Sequence, residues 1–186
     1  MSHHTYQILM ISGSLKQGSI NTAVLKGLSL LPGKEMNMEF RYYNGLSELP
    51  HFNPELDTEH AFEAVEHFRE QLRTADAVII CTPEYAAGVP GTLKNALDWI
   101  VSSGELMNKP VAAISASPSM QGGAKALDSL VLTLGMIEAR LFDGGIVRIP
   151  MANRNKLGPD GEVTDSELRL TLLGTLNALR SELGRE

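Results

Sequence analysis

The sequence predicts an α/β protein: a five-stranded parallel sheet with helices on both faces, a three-layer sandwich. Three observations predict it. Short apolar runs alternate with segments of helical periodicity along the whole chain. The third and fourth runs are apolar almost throughout, as strands buried on both faces are. The length, 186 residues with 43% apolar content and no composition break, suits one domain, 1–186, large enough to bury its core without disulfides.

The elements follow in order. Tyr6–Ile11 (YQILMI) is a strand that stops at Ser12-Gly13-Ser14. Asn21–Leu31 is a helix, with Ile20, Val24, Leu28 and Leu31 at helical spacing and Pro32-Gly33 after it. Met38–Tyr43 (MEFRYY) alternates like a half-buried strand. Asn44–Thr58 is polar, carries Pro50 and Pro54, and reads as a long loop; its Leu49–Pro54 stretch, with Phe52 reading as exposed, either overhangs a site or is disordered. Glu59–Thr74 is helical, with Phe62, Val65, Phe68 and Leu72 inward. Asp76–Cys81 (DAVIIC) is a buried strand. Thr92–Ser102 is a helix on Leu93, Leu97, Ile100 and Val101, and Val111–Ser115 (VAAIS) is another buried strand. Ala124–Gly135 is helical. Ala139–Ile149 carries the last strand, interrupted by Gly144-Gly145. Ser166–Leu183 is the final helix, with Thr164 or Asp165 as its N-cap. Five strands in this length favour the order 2-1-3-4-5 over the longer two-half dinucleotide fold.

Composition excludes several functions. One cysteine, Cys81, rules out an internal disulfide framework and multi-cysteine metal sites. A net charge of −6 argues against a broad nucleic-acid or anionic-membrane surface. Apolar runs reach about five residues, where a membrane span needs roughly 20. Residues 1–7 are polar and lack a signal-peptide pattern, so a cytoplasmic location is expected. His3 and His4 read as a frayed terminus, and His51, His60 and His67 as surface residues. No metal site is expected, and a hydrolase is disfavoured because no Gly-x-Ser-x-Gly elbow occurs.

In a doubly wound sheet, ligands bind beyond the carboxyl ends of the strands. The loop after the first strand, Ser12 to Asn21, leads from a strand into a helix start, whose unpaired N–H groups attract an anion. Ser14, Ser19 and Asn21 add polar donors and Lys16 a charge. Gly13 and Gly18 have the spacing of a triphosphate-binding loop, but Ser19 follows where that motif has lysine. Leu15 stands where a dinucleotide fingerprint has its second glycine. The loop therefore fits a single terminal phosphate such as that of FMN, or else no ligand, being then a helix start capped by Ser19 or Asn21. After the third strand, Pro83 to Ala87 is small and apolar apart from Glu84 and Tyr85, and a flat heterocycle fits against it. After the fourth strand comes Ser117-Pro118-Ser119-Met120-Gln121-Gly122-Gly123.

These motifs together resemble the NADPH-dependent FMN reductase family, which includes quinone and chromate reductases. Gly13–Asn21 is similar to its Gly-Ser-Leu-Arg-x-x-Ser-x-Asn. Pro83–Tyr85 with Pro90–Trp99 is similar to its Pro-Glu-Tyr-Asn and Pro-Gly-x-Leu-Lys-Asn-Ala-hydrophobic-Asp-Trp, and the Ser-Pro then Gly-Gly after the fourth strand also fits. The resemblance spans roughly residues 8–130 and implies a flavodoxin-like fold binding FMN. Ser14, Lys16, Ser19 and Asn21 would hold the phosphate, with Ile20 among the cofactor-binding residues. Pro83, Glu84, Tyr85 and Ala86 would line the ring, with Ser117 at its border. Two departures stand out: Lys16 replaces an arginine, turning a bidentate contact into a point charge, and Ala86 replaces an asparagine.

The implied activity is hydride transfer from NADPH or NADH to FMN, then reduction of a small-molecule acceptor: a quinone, free flavin, azo compound or chromate. No protein residue need be catalytic, because the cofactor carries the chemistry. A homodimer or homotetramer is implied. The alternative is an electron carrier of flavodoxin type. Carriers usually cover the ring with aromatics, and Tyr85 is the lone aromatic in the three loops. Cys81 reads as a buried structural thiol, Trp99 as packing at a core or subunit interface, Glu84 as a loop or interface brace, and Lys94 with Asp98 as an i,i+4 pair.

Overall fold

The computed structural model describes residues 4–33, 36–58 and 62–185. Five parallel strands, β1 (Tyr6–Ser12), β2 (Met38–Tyr43), β3 (Ala77–Thr82), β4 (Val111–Ala116) and β5 (Ile146–Ile149), form one sheet in the order β2-β1-β3-β4-β5. The crossovers are α1 (Ile20–Ser29), α2 (Glu63–Arg73), α3 (Gly91–Asp98) and α4 (Ala124–Met136), with α5 (Ser166–Leu183) at the end. The expected fold class and strand order hold.

Central strands β3 and β4 are buried at every residue, which is why their sequences carry no polar alternation. Edge strand β5 alternates exposed and buried, as an edge half-covered by one helix does. Alternate residues of each strand divide the interior in two. Ile8, Met10, Ile79, Cys81 and Ile114 pack under Val24, Leu25 and Leu28 of α1 and Leu172, Leu176 and Leu179 of α5. Leu9, Ile11, Val78, Ile80 and Ala113 pack under Phe68 of α2, Leu93 and Leu97 of α3, and Leu130 and Leu134 of α4.

Three boundaries differ from expectation. The last strand starts only at Ile146: Gly144, at φ +81°, turns the chain, and Ala139 and Arg140 make isolated bridges to Met107 and Pro110. Helix α3 ends at Asp98, where the buried Arg69 guanidinium takes the Trp99 carbonyl at 2.7 Å. Helix α2 begins at Glu63; residues 59–61 of the expected helix, and His60, lie outside the described residues, as does His3. His4 sits 3.5 Å from Asp76.

The connection from 44 to 58 is ordered by long-range bonds. Phe52 N–H donates to Asn95 Oδ1 at 2.8 Å, and Pro50 O accepts from Asn95 Nδ2 at 2.9 Å and Trp99 Nε1 at 2.8 Å. Phe52 is not the exposed residue expected, but packs edge-on against Trp99, with ring centroids 5.0 Å apart. Asp57 receives the Arg69 guanidinium at 2.7 Å and the Ser102 hydroxyl. Partial burial pushes the Asp57 carboxyl up, but the bonds from Ser102 and Arg69 outweigh it and hold the carboxyl below its ordinary value. Trp99 is wholly buried within its own chain, so of the two expected settings it takes the core.

Candidate functional site

The carboxyl ends of β1, β3 and β4 meet at one cleft of about 460 Å³. It is lined by Ser14, Lys16, Ser19, Ile20 and Asn21 from the first loop, Pro83, Glu84 and Tyr85 from the second, and Ser117 from the third. Of the ten residues singled out in the sequence, Ala86 alone is not on this wall; it lies one residue beyond, at the tip of a turn.

At the first loop, backbone geometry explains the residue choice. Gly13 N–H donates to Cys81 O at 2.9 Å, and a Cβ there would meet Thr82 Oγ1 at 2.9 Å, so the loop lies flat on β3 only with glycine. Ser14, 8% exposed, accepts from Lys16 N–H, and Ser19 Oγ caps α1 by accepting from Asn21 N–H at 3.2 Å. The remaining first-turn N–H groups of α1, which the helix itself cannot pair, face an anion approaching Ser19.

Asn21 is placed differently from expectation. It is 2% exposed, and with its amide oriented to satisfy its neighbours it donates to Thr82 O at 2.9 Å and Ala116 O at 3.3 Å. Its side chain therefore ties α1 to the ends of β3 and β4, and only its edge reaches the cleft.

The second loop is braced by Glu84. Its Oε2 accepts from the N–H groups of Lys125 at 2.9 Å and Ala126 at 3.3 Å, so the carboxylate caps α4 from another loop. The loop-bracing role expected for Glu84 is what its bonds show. Gly123, at φ +78°, sits where a Cβ would press on Ser115 and Glu84. Beyond Glu84 the chain makes a tight turn: Tyr85 and Gly88 exchange both backbone hydrogen bonds at 3.0 Å across Ala86 (φ +48°) and Ala87 (φ +62°). Both alanines occupy left-handed conformations that normally call for Asn-Gly. Tyr85 is 51% exposed. Burial pushes the Cys81 thiol well above its ordinary value, so it is a core atom rather than a redox group. Lys94 and Asp98 pair as expected.

Sequence reasoning missed Arg154. It lies just after β5, in a short 3-10 turn, Arg154–Lys156, and its guanidinium donates to Gly18 O at 2.7 Å while lining the cleft. Gly18 has φ +67°, and a Cβ there would meet the guanidinium at 2.7 Å. Its sequence signal is faint, because only the fold brings residue 154 to residue 18. Ala152 and Asn153 complete that wall. Among the described residues no cluster of His, Cys, Asp or Glu suits a metal ion, and no helix is long and apolar enough to cross a membrane.

A flavodoxin-like sheet with a serine- and cation-lined cleft at its strand ends defines the class: a doubly wound α/β protein whose candidate site lies at the carboxyl edge of the sheet. Residues 6–154 match the family model described as NADPH-dependent FMN reductase, and the chain belongs to that family of oxidoreductases. It is 34% identical over 186 residues to a quinone reductase of Escherichia coli K12, covering 95% of this chain and 91% of the relative. It is 35% identical over 176 residues to an NAD(P)H-dependent FMN reductase of Pseudomonas aeruginosa, covering 94% and 93%. The structure superposes on a flavoenzyme NAD(P)H:(acceptor) oxidoreductase from Paracoccus denitrificans with a TM-score of 0.87 at 28% identity, covering 97% and 98%.

Proposed function

We propose that residues 1–186 form one FMN-binding unit that passes electrons from NADPH or NADH to a small-molecule acceptor, in the class of quinones, free flavins, azo compounds or chromate. The supporting observation is the cleft itself, which gathers a phosphate-sized polar end and an open, mostly apolar end at the carboxyl edge of the sheet. The donor set fits a flavin monophosphate: Lys16 and Arg154 supply positive charge, Ser14 and Ser19 hydroxyls, and α1 its first-turn N–H groups. Arg154 supplies the planar guanidinium that Lys16 lacks.

FMN, when bound, supplies the hydride chemistry. The chain's own contribution is orientation and access. Glu84 fixes the loop against α4, the turn at Ala86 and Ala87 sets the cleft rim, and Ser117 borders it. Among the described residues Tyr85 is the one aromatic on the cleft wall, which leaves a flat ligand uncovered and favours an enzyme over an electron carrier.

We further infer a cytoplasmic protein that acts as a homodimer or homotetramer. Leu93, Leu97 and Ile100 face the chain's own core, whereas Leu132 and Met136, one turn apart on α4, are exposed and offer an apolar surface to a second copy.

Spectroscopy of the purified protein tests the reading. A bound flavin bleached by NADPH and restored by a quinone supports it. A bound flavin that NADPH leaves oxidised would make the protein a carrier, and steady-state rates over an acceptor panel identify the acceptor.

A further inference from the structure

Beside the cleft lies a second, larger cavity of about 570 Å³, and the two share Lys16, Gly18, Ser19 and Arg154. Its own walls come from the outer side of α1, with Thr22, Ala23 and Lys26, and from the turn Leu157–Gly161. That turn is held firmly: Gly158 N–H donates to Glu162 O at 2.8 Å, Leu157 bridges Val163, and a Cβ on Gly27 would strike Val163 at 2.7 Å.

The charge is lopsided. Lys16, Lys26 and Arg154 face one carboxylate, Asp160, on a chain whose net charge is −6. Among the described residues the ammonium groups of Lys16 and Lys26 make no hydrogen bond or ion pair. The rest of the wall is mixed: Thr22 is polar, and Ala23, Leu157 and Pro159 give apolar surface suited to a base.

Resting on the proposal that the cleft holds a flavin phosphate at Lys16 and Ser19, we propose that this second cavity is a phosphate subsite for the adenine-nucleotide half of a dinucleotide. The contiguity carries the inference. A nucleotide that reaches past the shared wall meets, directly beyond it, room of ligand size and one further cation, Lys26. Two sources share that chemistry: the 2′-phosphoadenosine of NADPH and the AMP half of FAD.

Lys26 probes this subsite alone, because it lines the second cavity and not the first, and the choice of ligand separates the two sources. Wild type, Lys26→Ala and Lys26→Arg would be titrated with adenosine 2′,5′-bisphosphate by calorimetry. Flavin-stripped protein would be titrated with FMN and FAD, and KM measured for NADPH and NADH. If NADPH is the source, Lys26→Ala weakens the bisphosphate and raises KM for NADPH roughly fivefold, with NADH unchanged. If FAD is the source, the same change weakens FAD roughly fivefold and leaves FMN unchanged. Lys26→Arg restores either. Equal losses for FMN and NADH, or no loss for any dinucleotide or for the bisphosphate, would overturn the subsite. Wild-type protein that binds no FMN would defeat the parent proposal instead; the bisphosphate titration needs no flavin and would still decide the subsite.

Discussion

At the β1–α1 end of the cleft Ser14 and Asn21 are buried, Ser19 caps its helix, and Gly13 lies against β3. At the β3–α3 end Tyr85, Ala86 and Ala87 are exposed, and two alanines sit at positive φ. The first end is organised before any ligand arrives: the cost of fixing its donors is met in folding, by bonds to strands the core already positions. The second is a rim anchored at one point, Glu84, and open beyond it. One end is ordered and the other open, the asymmetry that the proposed resident cofactor and exchanging second substrate would use.

The largest effect should come from outside both ends. Arg69→Met removes the partner of Asp57 and the cap on Trp99 O, and is expected to destabilise the fold by about 3–5 kcal/mol in urea unfolding. Flavin affinity of the folded fraction should stay near wild type; if it collapses, the 44–58 connection belongs to the site and the contrast has three members. The same pair gives a pH dependence. Asp57 is held below its unfolded value near 4, so its contribution is present above about pH 4 and is lost as pH falls through the lower folded value. Fluorescence of the single tryptophan, Trp99, should report acid unfolding in that window, and Asp57→Asn should flatten the dependence.

Next in size is Gly18→Val. A β-branched residue at φ +67° costs about 1–3 kcal/mol, and its Cβ displaces the Arg154 guanidinium. FMN affinity should fall by at least about tenfold in fluorescence titration. Ser14→Ala combined with Lys16→Ala should weaken FMN by about 1–3 kcal/mol while leaving riboflavin, which has no phosphate, unaffected. Glu84→Ala releases the cap on α4 and should cost about 1 kcal/mol in stability, with whatever affinity is lost shared by FMN and riboflavin alike. Selectivity is the sharp reading here: equal losses in the Ser14/Lys16 variant would merge the two ends. The smallest effect is expected for Ala87→Gly, which relieves a positive φ and should stabilise by about 0.5 kcal/mol.

The same contrast explains what the sequence made legible. Strand order and the buried strands follow from patterning that each segment carries locally. The β1–α1 loop is local too: strand, turn and helix start are contiguous, so Ser14, Lys16 and Ser19 could be read directly. Arg154 could not, because it is 136 residues from Gly18 and looks like any cation in a polar tail until β5 delivers it. Arg69 carries no local signal in the sequence, because its burial depends on Asp57 and Trp99 arriving from other elements. Asn21 has the right place in the motif, but the closeness of the β3 and β4 ends turns its amide inward. Phe52 looked exposed for the same reason: its partner, Trp99, lies across the fold.

The central claim is that the serine- and cation-lined end of the cleft holds a flavin phosphate. Dissociation constants of FMN and riboflavin for the flavin-stripped protein test it most directly. FMN should bind at least about a hundredfold tighter, since several charged hydrogen bonds separate the two ligands, with the gap shrinking at high salt and in the Ser14→Ala, Lys16→Ala variant. Equal affinity for riboflavin and FMN would contradict it.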